Sequence, residues 1–61
     1  MPYVIVEMFE GRTVEQKRAC ARAITEAIVE HLKTTPEATH IIFHELKREN
    51  SAHAGKLASD S

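Results

Sequence analysis

Tyr3-Val4-Ile5-Val6-Glu7-Met8-Phe9 is apolar or aromatic at every position but Glu7. Val and Ile with flanking aromatics favour a strand. The near-continuous apolarity predicts cover on both faces, as in a parallel sheet or at a subunit contact. Glu10-Gly11-Arg12 breaks the run, and Gly11 can take backbone angles that other residues resist. Downstream, Thr39-His40-Ile41-Ile42-Phe43-His44-Glu45-Leu46 reads as a second strand. Its Ile41 and Phe43 point one way, and His40, Ile42 and His44 the other. Between the two, Thr13-Val14-Glu15-Gln16 fits a capping box. Cys20, Ile24, Ala27, Ile28 and Leu32 then recur at helical spacing to about Lys33. Arg18, Arg22, Glu26 and Glu30 fall on another face, with an Arg22–Glu26 pair adding a few tenths of a kcal/mol. Thr34-Thr35-Pro36 stops the helix, because the residue before a proline is pushed out of the helical region.

Strand, helix, strand in this order predicts a right-handed β-α-β crossover with parallel strands. The fold class is α+β. The tail from Lys47 is polar and reads as loop plus a short strand or hairpin, so residues 1–61 make a single domain. A chain of 61 residues buries only about 60% of the surface its unfolded form exposes. Cys20 is the single cysteine, so no internal disulfide makes up the deficit. One helix on two strands leaves an apolar sheet face open, at a cost of roughly 25 cal/mol per Å². Self-association is the expected remedy. A formal charge of −1 argues against nucleic-acid or anionic-membrane partners. No apolar run approaches the ~20 residues of a membrane span, and no secretory pattern opens the chain. The expectation is a soluble, cytoplasmic homo-oligomer. A strand followed by a helix also fits a ribbon-helix-helix DNA binder, but such proteins need a basic strand face. The first strand has no Lys or Arg, and Pro36 opposes a second helix.

Pro2 is the first chemical candidate. Removal of Met1, the usual fate before a small second residue, would turn Pro2 into a free secondary amine able to act as base or nucleophile. An α-amino group ordinarily titrates near ~8, and desolvation or a nearby cation lowers that. A base works best near the operating pH. Alone, Met1-Pro2 is a weak signal, and a harmless second residue at a strand edge is the favoured reading. Arg12, after a glycine at the strand-to-helix turn, could clamp a carboxylate through two parallel hydrogen bonds, or simply be solvated. His40 and His44 would stand ~13 Å apart on a strand, too far for one metal ion. His31 and His53 lack a Cys or carboxylate at ligand spacing, so no metal site is expected. Cys20 on the apolar stripe reads as a small buried thiol with no cation to activate it. Tyr3 and Phe9 read as core residues, with Tyr3 also able to line a pocket beside Pro2.

Met1-Pro2-Tyr3-Val4, Met8-Phe9-Glu10-Gly11-Arg12-Thr13, Glu15-Gln16-Lys17 and Ala54-Gly55-Lys56-Leu57 together resemble the 4-oxalocrotonate tautomerase family over nearly the whole chain. The resemblance implies a β-α-β unit ending in a short hairpin, with an amino-terminal proline. It implies that Pro2 moves a proton in a 1,3- or 1,5-keto–enol shift of a small unsaturated 2-hydroxy or 2-oxo acid, without cofactor or metal. Arg12 matches the family arginine that binds a substrate carboxylate. The implied assembly is a homohexamer, a trimer of dimers with sites at subunit boundaries. Where the best-known members carry a second arginine this chain has His40, and where they carry a pocket-walling aromatic it has Ser51. Histidine is only partly charged at neutral pH and lacks the planar fork, and a serine leaves a wetter site. Pro2, Arg12, His40, Ser51, Tyr3 and Phe9 are thus the expected site residues. Two alternatives stay open. The same fold could hydrate, dehalogenate or decarboxylate acrylate-type acids, with Glu7 or Glu45 activating water, or the chain could be a non-enzymatic oligomeric binding module.

Overall fold

The computed structural model describes residues 1–60. Strand β1 spans Tyr3–Phe9, helix α1 Val14–Leu32 and strand β2 His40–Leu46. β1 and β2 pair in parallel over their full lengths, in register from Tyr3 opposite His40 to Phe9 opposite Leu46. The ladder extends by one bond at each end. The His40 N–H donates to the Pro2 carbonyl at 3.0 Å, and the Glu10 N–H to the Leu46 carbonyl at 3.0 Å. The expected β-α-β unit with parallel strands is therefore present.

Local signals in the sequence set the helix. At Thr13 the hydroxyl accepts the Gln16 N–H at 3.1 Å, while Gln16 Oε1 accepts the Thr13 N–H at 2.9 Å. This reciprocal box satisfies two of the four N–H groups a helix start leaves free. The helix ends where Lys33 takes a left-handed conformation, φ 57° and ψ 52°, a position that usually falls to glycine. Pro36 then opens a single 3₁₀ turn, Pro36–Ala38, capped by the Thr35 hydroxyl. The tail folds as a 3₁₀ turn at Arg48–Asn50 and a two-stranded hairpin, β3 (Ala52–His53) and β4 (Lys56–Leu57). Ala54 (φ 54°) and Gly55 (φ 80°) supply the positive φ angles that the favoured two-residue hairpin loop demands at both centres.

Packing departs from the sequence reading in two places. The helix residues half-buried against the sheet are Lys17, Ala21, Ile24, Thr25, Ile28 and Val29, whereas Cys20, Ala27 and Leu32 are exposed. A helix resting on two strands covers only part of its apolar stripe, so the expected burial of the Cys20 thiol is corrected: it is exposed. The helix-face ion pair is Arg18–Glu15 at 2.7 Å, and among the described residues Arg22 and Glu26 form none.

The β1–β2 face away from α1 lies open. Tyr3 is 61% exposed, Ile5 60% and Ile42 45%. Among the described residues none is fully buried. The chain's accessible area is 4850 Å², against about 4,000 Å² for a compact monomer of this size. Its radius of gyration is 14.6 Å, against about 10.5 Å. The single chain is thus a layer in want of a second layer. Replacing the cap, Thr13→Ala, should cost about 1 kcal/mol, read by urea unfolding at matched protomer concentration.

Candidate active site

The parallel ladder sorts the candidate residues into separate places. At the amino end of β1, Pro2 is half-buried and its carbonyl is held by the His40 N–H. There the Tyr3 and His40 rings stack, with centroids 4.6 Å apart and planes 15° from parallel, on the open sheet face. At the other end, Phe9 leads into Gly11, whose φ of 127° makes the turn that launches α1. β1 has seven residues, which at about 3.3 Å each set Pro2 and Arg12 more than about 20 Å apart in one chain.

Arg12 faces the helix side of the sheet. It lines a cavity of about 160 Å³ with Val6, Met8, Gln16, Cys20 and Phe43. Phe9 lies on the opposite face, alternating with Met8 as strand geometry requires. Phe9 and Ser51 meet in a second cavity of about 330 Å³, closed on one side by the hairpin residues His53, Lys56 and Leu57. The Arg48 guanidinium carbon sits 4.5 Å above the centre of the Phe9 ring. Sequence reasoning missed Arg48, and its only signal was a basic Lys47-Arg48 pair directly after the second strand.

The charged groups named as water activators are both engaged. The Glu45 carboxylate accepts from Lys17 Nζ at 3.2 Å, and Glu7 lies 3.4 Å from His44 Nδ1. Among the described residues, no three His, Cys, Asp or Glu side chains gather as metal ligands. His40 and His44 sit four residues apart on β2, with His40 turned to Tyr3 and His44 to Glu7. No helix is long and apolar enough to cross a membrane among those described.

The family model for tautomerase enzymes matches residues 2–61. The chain belongs to the tautomerase family. It is 42% identical over 60 residues to a probable tautomerase of Halalkalibacterium halodurans, covering 98% of each. It is 43% identical over 60 residues to a 2-hydroxymuconate tautomerase of Bacillus subtilis, covering 98% of this chain and 97% of the relative. The crystal structure of YwhB, a homologue of 4-oxalocrotonate tautomerase, superposes with a TM-score of 0.94 at 42% identity and 98% coverage of both chains. The resemblance and the fold expected from sequence are therefore confirmed, and this tautomerase is an isomerase. Its Lys17–Glu45 pair joins α1 to β2 with both side chains partly wet, at 27% and 35% exposure. Such pairs are worth little, so Glu45→Gln should lower stability by under about 1 kcal/mol, read by chemical unfolding.

Proposed function

We propose that this tautomerase is cofactor-free and acts on a small unsaturated 2-hydroxy or 2-oxo acid of the 2-hydroxymuconate kind, with Pro2 as general base once Met1 is removed. The amine lone pair takes the enol hydroxyl proton, the oxygen electrons form the carbonyl, and the displaced double-bond electrons take the proton back at C3 or C5. The base is regenerated and nothing is consumed. Arg12 holds a substrate carboxylate through its fork. Tyr3 and His40, stacked beside Pro2, wall the base's side of the site, while Phe9 and Ser51 line a separate cavity on the sheet face opposite Arg12.

One observation carries this reading furthest: Pro2 and Arg12 lie at opposite ends of β1. A substrate of six carbons cannot touch both in one chain. β1 pairs only with β2 among the described strands, so its other edge is a row of unpaired backbone groups. Two copies related by a two-fold axis would join along that edge antiparallel, bringing Pro2 of one beside Phe9 and Arg12 of the other. Three such pairs, closing over Tyr3, Ile5 and Ile42, would make the homohexamer the resemblance implies. Each 61-residue chain would serve as one domain in a soluble assembly, placed in the cytoplasm. Hydration or dehalogenation is less favoured, because Glu45 is paired with Lys17 and Glu7 lies against His44. Turnover of 3-haloacrylates would revive it.

Intact-mass analysis should find the chain without Met1, and Pro2→Ala should lower turnover of enol acids at least about 100-fold. Unchanged turnover would reject Pro2 as base. Pro2→Ala and Arg12→Ala chains, each inactive, should recover about a quarter of wild-type activity when unfolded and reassembled together, since half the pairs then hold one intact site. A mixture as inactive as its parents would place both residues in one chain's site.

A further inference from the structure

The tail beyond β2 holds on to the sheet by very little. Its backbone bonds stay inside it among the described residues. The Asn50 N–H donates to the Lys47 carbonyl at 2.8 Å, the Ser51 N–H to the Arg48 carbonyl at 3.4 Å, and β3 pairs with β4. No ion pair or side-chain hydrogen bond among those residues joins residues 47–60 to β1, β2 or α1. One charged contact does cross over: the Arg48 guanidinium carbon lies 4.5 Å from the centre of the Phe9 ring. Phe9 occupies the last rung of the ladder, opposite Leu46, so the contact reaches the very end of the sheet. The cavity of about 330 Å³ opens at the same place. Phe9 is the sheet's only residue in its lining, and the others, from Ser51 to Ala58, all belong to the tail. The cavity is thus the gap between the tail and one ring. Arg48 does not line it, so it acts on the cavity only through the ring it covers.

We infer that Arg48 is a positioning residue: its stack on Phe9 latches the tail to the sheet and sets the width of the gap between Phe9 and the hairpin. A guanidinium is drawn to the electron-rich face of an aromatic ring and is more weakly hydrated than an ammonium, so it holds this place in water. An exposed contact of this kind shifts an equilibrium by about two- to fivefold. That is enough to bias a hairpin of two residues per strand. The link to substrate rests on the functional reading above, because antiparallel pairing of the β1 edges is what brings the neighbour's Pro2 beside Phe9. Arg48 then governs how tightly the guest is held and leaves the proton transfer at Pro2 untouched.

The latch is read first without turnover, from amide NMR order parameters in the assembled protein. Arg48→Met should lower them from Ala52 to Leu57 and leave those of β1 and β2 unchanged. With 2-hydroxymuconate as the probe, Arg48→Met should raise KM about two- to fivefold, while kcat and its pH profile stay as in wild type. Arg48→Lys, which keeps a cation over the ring, should restore most of the loss. Phe9→Leu should itself raise KM, and adding Arg48→Met to it should change nothing more, because the latch has already lost its ring. If Arg48→Met does not assemble, Arg48→Gln is judged by the same cycle. Unchanged hairpin order parameters would overturn the latch. A loosened hairpin with unchanged KM, or KM effects that add in the double variant, would overturn the positioning role. Failure of the base shows elsewhere: an active Pro2→Ala enzyme would remove Pro2 from the reaction and leave the order parameters to decide the latch.

Discussion

The parallel pairing of β1 with β2 governs everything else in this molecule. Parallel strands need a crossover, and α1 supplies it on one face only. The helix packs on β2, Val4, Val6 and Met8 are half-buried on that side, and Tyr3, Ile5 and Ile42 stay bare on the other. The same pairing stretches the seven residues of β1 into a rod, so the proposed base and the proposed carboxylate clamp cannot fold toward each other. A weakness in stability and a division of chemical labour thus share one origin.

Much of this was legible because it is local. The alternation of Ile41 and Phe43 against His40, Ile42 and His44 gave the faces of β2 directly, since side-chain direction in a strand has period two. Thr13 and Gln16 announced the helix start because the box closes within four residues. The Cys20 reading failed for a physical reason: periodicity reports which residues share a stripe, but not how wide a strip the opposing layer covers. A two-stranded sheet is narrower than the stripe it meets.

The Arg48–Phe9 contact was invisible for a different reason. The residues are far apart in sequence and meet only because the tail turns back across the end of the sheet, held by the Ala58 N–H donating to the Ser51 carbonyl at 2.9 Å. No repeat or spacing records such a return. The Arg22–Glu26 reading shows a related limit: four-residue spacing permits a pair, yet side-chain rotamers placed Arg18 on Glu15 instead.

The hairpin consists of two residues per strand around a tight loop at Ala54 and Gly55. It bears Lys56 and His53 without supporting the ladder that fixes Pro2. Changes in this small flap can therefore reshape the cavity beside Phe9 and Ser51 while the β1–β2 ladder stays intact.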